Sequence, residues 1–412
     1  AGSKFLAIRF ANAGSTTASS VQGNTITAIS LSGVVGGTNT TPAFAGIVVN
    51  SGAVDIGNVT GNTVGNSGSA GAITMASNNG SGMEVYGIHY FPNLAINISN
   101  NTIAGISAAN SGAGSLVVYG IRAQAGAVVH TLANNIVGTA TGPIGNSSTS
   151  ASSRILGIAS QTGAAAVSGN TIGHLSLTAG NTASGISAGV IGLFVSTTST
   201  LGNNVSRNTI HHLANSHATA AVWVTGLEYS GATGGTHIVQ RNFVHSLSTP
   251  STSATATVNG IHVAAGTTSF QNNMIALGSD MTLNSPQING IDEAISGTGV
   301  LGFYFNSVYI GGSGAAAGTA SSFALQSALL TNTRNFRDNV FFNARSNGAA
   351  TGKHYAIRVG GTAANPAGLT SNNNVLFANG TGGFTGLFNA VDRATLADLA
   401  RTALMAVVAH DA

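Results

Sequence analysis

Cysteine is absent from this 412-residue chain, and charge is scarce: 13 Lys and Arg and 10 Asp and Glu make up 6% of it. Typical soluble domains carry about a quarter. The missing cysteine excludes disulfides and thiolate metal sites. The net charge of +3 is too thin for the dense basic stripe that nucleic acid binding requires, so no nucleic acid partner is expected. No run approaches the roughly 18 apolar residues of a membrane span. The opening Ala1-Gly2-Ser3-Lys4 lacks a signal peptide, which predicts a processed or cut end. Gly, Ala, Ser, Thr and Asn fill the chain instead, in a pattern too apolar and too regular for disorder.

What is present is a repeat. The phrase Asn-x-(large apolar) recurs at Asn24, Asn62, Asn101, Asn135, Asn170, Asn208, Asn242, Asn273, Asn306, Asn339 and Asn374, with copies 31 to 39 residues apart. Upstream of each stands a small residue followed by Ile or Leu: Ala7-Ile8, Gly46-Ile47, Gly87-Ile88, Gly120-Ile121, Gly157-Ile158 and Gly192-Leu193, then Gly226-Leu227, Gly260-Ile261, Gly290-Ile291, Ala324-Leu325 and Ala356-Ile357. A third apolar step often follows, as in Ile103/Ile106 and Ile172/Leu175. These segments are short, β-branched and alternating, which is strand character. The Gly/Ser/Thr/Ala stretches between them vary in length and read as loops.

Repetition at this period points to stacked units. The fold class expected is all-β: a right-handed parallel β-helix, a single-stranded solenoid of about eleven coils over residues 1–390. Coils about 4.8 Å apart would make a rod on the order of 50 Å long. The Asn column is expected to form a buried side-chain ladder at a corner where Asn adopts a left-handed backbone. The Gly/Ala column is expected to be a kink with φ > 0, the alternative being a groove where another segment approaches closely. Residues 391–412 change character. Leu396, Leu399, Ala400, Ala403, Leu404, Val407 and Val408 follow helical spacing, and Thr395 with Asp398 resembles a capping box. That predicts an amphipathic helix of roughly three to four turns covering the last coil. The first strand, Phe5–Phe10, has no comparable cover, which predicts that more chain or another subunit belongs there.

The phrases Asn100–Ile103, Tyr86–Ile88 and Tyr119–Ile121 resemble right-handed parallel β-helix repeats, most closely those of large bacterial secreted or cell-surface proteins of the adhesin type. Phe305–Gly311, Asn343–Asn347 and Ala394–Asp398 are also similar to them. The resemblance spans roughly residues 5–390. It implies the fold and an extracellular or cell-surface setting. In such proteins the helix is often followed by more β-helix, so residues 391–412 are either a cap or the start of a continuing segment. The same superfamily holds pectin lyases, polygalacturonases, tailspikes and non-catalytic adhesins, so fold alone does not assign activity.

Chemistry needs polar groups converging from neighbouring coils. Aligning coils on the Ile/Leu marker places Arg9, Val48, His89, Arg122, Ala159, Phe194, Glu228, His262, Asp292, Gln326 and Arg358 in one column. Glu228, His262 and Asp292 are consecutive, with Glu293 beside them. They are the candidate general acid/base site for a glycan, or a weak cation site. The competing reading is a surface charge ladder in which His262 bridges two carboxylates. The Asp-pair and His-Gly signatures of polygalacturonases are absent, as is the acidic and basic cluster of calcium-dependent pectate lyases.

A second cluster is Arg207, Arg241, His211, His212 and His245, with His174 before it and His217 and His237 nearby. It is a candidate anion or sulfated-glycan patch, or an adventitious metal site; against these stands a solvated corner with no fixed ligand. Thr25, Thr63, Thr102, Thr171 and Thr209 share a column, but it lapses to Ile136, Phe243, Met274, Val340 and Val375, which is too irregular for an ice-binding face. Trp223, Tyr229, Tyr304 and Tyr309 are read as packing residues or isolated surface aromatics rather than sugar platforms. The function expected is a non-catalytic structural or adhesive solenoid, a filament subunit or stalk segment that self-associates. A polysaccharide hydrolase or lyase and a glycan-binding module are the alternatives. No cofactor and no dedicated metal site are expected.

Overall fold

The computed structural model describes residues 4–403, apart from 12–13, 34–35, 40, 282–285, 296, 316–317, 328–329, 331, 347–350 and 362–365. The chain is a parallel β-solenoid of about ten turns. Coils are numbered here by their ladder asparagines, from Asn24 in coil 1 to Asn374 in coil 11. Coil 2 shows the plan. Its first wall is Phe44–Val49, its second Val54–Ile56 and its third Thr63–Gly65. Eleven third-wall strands follow one another in chain order.

The register follows the marker column. Ile8 pairs with Ile47, Ile47 with Ile88, Ile88 with Ile121 and so on through Leu325 with Ile357. From Ile47 onward these side chains are buried inside the solenoid with the third-wall residues Val64, Ile103, Ile172 and Ile210, while Ile8 is partly buried against them. Burying each such side chain contributes about 1.5–3 kcal/mol, and the contribution repeats from coil to coil.

Strand alternation breaks once per first wall. In coil 2, Phe44, Ile47 and Val49 belong to the central core, whereas Ala45 and Val48 belong to a separate outer cluster with Tyr86, Tyr119 and Phe194. Gly46 and Ile47 therefore both face inward. The outer face of this wall is not bare, because inter-coil segments fold across it. One of them, Gly185–Ser187, makes a single 3-10 turn.

The chain closes with Val391–Arg393 pairing antiparallel to Gly383–Phe388, and then with the helix Leu396–Ala403. Its cap is a reciprocal one: Asp398 N donates to Thr395 Oγ1 at 3.2 Å, while Thr395 N and Oγ1 donate to Asp398 Oδ2 at 3.2 and 2.8 Å. Leu399 is buried against the core. Leu404, Val407, Val408 and Asn347, named from the sequence, lie outside the described residues.

Two backbone expectations are corrected. The ladder asparagines are not left-handed; the residue before each usually is, as at Asn100 (φ 62°), Arg207 (φ 58°) and Phe305 (φ 57°). The left-handed residue makes the corner, and the asparagine after it turns inward to bond. Nor does the Gly column need φ > 0, since Gly46, Gly87, Gly120, Gly157, Gly192, Gly226, Gly260 and Gly290 are absent from the positive-φ glycines. Close approach is the reason. A Cβ on Gly157 would lie 2.3 Å from Ile172 Cγ2 and 2.6 Å from the Gly192 carbonyl oxygen.

Candidate functional site

The asparagine ladder runs unbroken from Asn24 to Asn374, each residue donating through Nδ2 to the Oδ1 of the next at 2.8–3.0 Å. The backbone N–H of each donor coil reaches the same oxygen, as in Asn101 N to Asn135 Oδ1 at 3.0 Å. Spare amide protons go to second-wall carbonyls, Asn101 to Ile56 O for example, at 3.0 Å. From Asn62 onward this capacity is used internally, so the ladder has a structural role.

Glu228, His262 and Asp292 lie on first-wall strands Trp223–Ser230, Thr257–Ala265 and Gln287–Glu293, which pair directly in that order. His262 Nδ1 is 2.9 Å from both oxygens of Glu228, and Nε2 is 3.9 Å from Asp292 Oδ2. The column continues: Gln326 Nε2 donates to Asp292 Oδ1 at 2.9 Å, and Arg358 Nη1 to Gln326 Oε1 at 2.8 Å. A parallel polar column supports it, with Asn289 Nδ2 donating to Asn259 Oδ1 at 2.8 Å.

His262 thus bridges two carboxylates, but not at the surface. Glu228 is 0% exposed, and His262 and Asp292 are each 5% exposed. The Gly185 turn lies over them, so close that a Cβ there would be 3.4 Å from His262 Cε1. Trp223 meets the His262 ring edge-on at 5.7 Å. Arg154 holds the covering segment, donating to Ile186 O at 2.6 Å and Ala188 O at 3.0 Å. Glu293 does not join the array. It occupies the inward column of Tyr229 and Val263, where it accepts from Ser327 Oγ at 2.7 Å and Asn332 Nδ2 at 2.9 Å.

Burial raises the Glu228 carboxyl above its ordinary pKa against the opposing hydrogen bond from His262. Burial raises Asp292 likewise. Burial alone would lower His262, yet the hydrogen bond and charge of Glu228, with Asp292, carry it above the usual imidazole value. Acid, base and acid alternate along a sealed column. Such an array can share protons internally, but a general acid must reach its substrate, and no oxygen of Glu228 is open to one.

At the second cluster, His211 and His245 pair in register while His212 stacks across His174 at 4.6 Å. His211 and His245 stack at 5.3 Å. Arg207 and Arg241 are exposed left-handed corner residues preceding the ladder strands, whereas the histidines lie beyond Ile210 and Val244. The three histidines lie within the strands Thr209–Asn215 and Phe243–Ser248, four or five residues on from the corner arginines.

The sequence reading missed one cluster, Glu84, Tyr86 and Arg122. Arg122 Nη1 is 3.3 Å from Glu84 Oε1 and 2.8 Å from the Tyr86 hydroxyl, and its guanidinium lies 4.9 Å from the Tyr119 ring centroid. The signal was available in the outward column two residues before the marker, which contains Tyr86 and Tyr119. One open cavity of about 780 Å³ is lined by Asn50, Phe91, Asn93, Gln124 and Thr162 among others, with no ionisable side chain in its lining. The tyrosines and Trp223 mostly pack: Tyr229 is buried edge-on to Phe270 at 5.7 Å, while Tyr309 is 41% exposed. No family model, curated protein or solved structure matches the chain.

Proposed function

We propose that the chain is a non-catalytic structural and adhesive β-solenoid, a filament subunit or stalk segment of a larger extracellular surface protein. The observation that carries this reading is the outward face of the third wall in coils 8–11. Met274, Val340, Val375 and Phe377 are 56%, 41%, 51% and 50% exposed there. Tyr309, Phe342 and Phe377 form a ring ladder with centroids 5.4 and 5.1 Å apart. Neither of its two columns contains Asp, Glu, Lys or Arg. A regular apolar stripe on a flat parallel wall suits lateral packing against another solenoid, because extended exposed apolar surface marks interaction sites. The sealing of Glu228, His262 and Asp292 supports the non-catalytic half of the reading.

Sedimentation and electron microscopy test it. Native protein is expected to associate with rising concentration, and Val340→Lys with Phe377→Lys to reduce association. A native protein that stays monomeric at high concentration removes the filament version. A polysaccharide screen for reducing ends or unsaturated products tests the enzymatic rival. Activity abolished by both Glu228→Gln and Asp292→Asn would overturn the non-catalytic reading.

A further inference from the structure

Adjacent residues on a regular strand project to opposite sides, yet the rings of His211 and His212 meet, with their Nδ1 atoms 2.8 Å apart. The backbone is what brings them together. His212 is left-handed, at φ 49°, and so is His174 at the same corner one coil earlier, at φ 50°. Coil 3 places Gly105 (φ 67°) at this position, while coil 1 places Ala28 (φ 57°) and coil 7 Ser246 (φ 55°). An L-residue is strained there where glycine is not, so coils 5 and 6 hold their imidazoles at a strained corner.

The seat of His211 is equally specific. A Cβ on Gly173 would lie 2.5–2.9 Å from three atoms of the His211 ring, so only glycine in coil 5 leaves room for that ring, which stands edge-on to His174 with centroids 5.2 Å apart. One ligand nitrogen from each of His174, His211 and His212 falls within 4.8 Å of the others. Three nitrogens around a tetrahedral ion at about 2.0–2.1 Å stand about 3.3 Å apart, a spacing that small side-chain rotations reach from here.

We propose that His174, His211 and His212 form a binding site for a divalent transition-metal ion of the imidazole-preferring class, zinc or copper(II), which ties coils 5 and 6 together at their exposed corner. An all-imidazole set suits these ions and not calcium or magnesium, which take oxygen ligands. His245, stacked on His211, stands next in line for the fourth position, and Asp280 is the carboxylate whose charge reaches it. The site stands independently of the structural role proposed above.

The test is titration calorimetry of metal-stripped protein with zinc chloride and, separately, copper(II) chloride near neutral pH. One equivalent is expected to bind, raising the melting temperature, with copper giving the electron paramagnetic resonance pattern of several imidazole nitrogens. The double variant His174→Gly with His212→Gly is expected to lose binding and the metal-induced rise while folding as well as native, because glycine relieves both strained positions. His217→Ala is expected to bind as native does. Absence of binding by native protein would overturn the site, as would binding that the double variant retains.

Discussion

Asn208 uses both ends of its side chain. Its Oδ1 accepts from Asn170 N at 3.1 Å and Asn170 Nδ2 at 2.9 Å, and its Nδ2 donates to Asn242 Oδ1 at 2.9 Å and Val167 O at 3.0 Å. Asn208→Ala would leave two buried donors of Asn170 short of a partner, each worth about 1–3 kcal/mol. We expect urea denaturation to show a loss of about 3 kcal/mol or more. Asn24 begins the ladder and is only half-buried; among the described residues nothing donates to its Oδ1. Asn24→Ala should therefore cost about 1 kcal/mol, and equal losses at the two positions would contradict a cooperative ladder. Phe305 gives the opposite sign. It is 56% exposed and left-handed at φ 57°, where other coils use Asn100, Asn134, Asn272 and Asn373. Phe305→Asn is expected to stabilise by about 1 kcal/mol in the same assay. The ladder spacing was legible in the sequence, but the left-handed residue was not. Four coils carry Asn at both positions, so residue type alone could not separate the corner from the ladder.

In coils 2–9, the first-wall strand breaks its alternation where a glycine and the following Ile or Leu both face inward. Gly157 lies under Ile172, and its neighbour in the stack presents a carbonyl oxygen 2.6 Å from where a methyl would sit. Gly157→Ala must then push both the third wall and the next coil. Overpacking of this kind costs about 1–3 kcal/mol, and a thermal melt of the variant should show it. An unchanged melting temperature would mean that the coil can widen locally. Coils 10 and 11 already carry Ala324 and Ala356, both fully buried, and the third-wall residues in those coils are Phe341 and Leu376 rather than β-branched ones. In coil 5 the contact that crowds the glycine is to a branched side chain, from Gly157 to Cγ2 of Ile172, whereas coil 1 carries Ala7 with Ile26. The sequence displayed the column but not its cause. A glycine that avoids a clash and a glycine that adopts φ > 0 look the same until the opposing wall is in place.

Across the whole solenoid, the columns of the first wall could be aligned from sequence because each coil repeats one register. The segment at Gly185 could not, since variable loops carry no register to align. That segment turns a supposed surface ladder at Glu228, His262 and Asp292 into a buried one. Burial also sets how the molecule responds to acid. His89, His130 and His354 are each buried and have pKa values lowered to about 4, burial being the largest cause in each. Their neutral forms contribute stability that is present above the unfolded value of about 6.5 and lost as pH falls from there through about 4. His262, Glu228 and Asp292 act with the opposite sign. Their raised folded values favour the protonated forms, so their contribution is present at low pH and lost as pH rises. The two groups partly cancel in the native curve, and single variants separate them. His130 is the cleanest choice: fully buried, bonded through Nε2 to Ser160 Oγ at 2.8 Å, and without a partner at Nδ1. Between pH 7 and pH 5, linkage assigns it a loss of about 2 kcal/mol. Urea denaturation of metal-stripped native protein and His130→Gln at both pH values measures the difference directly. The variant is expected to be less stable at pH 7 but to lose about 2 kcal/mol less on acidification. Parallel losses in the two proteins would show that His130 does not stay neutral in the fold.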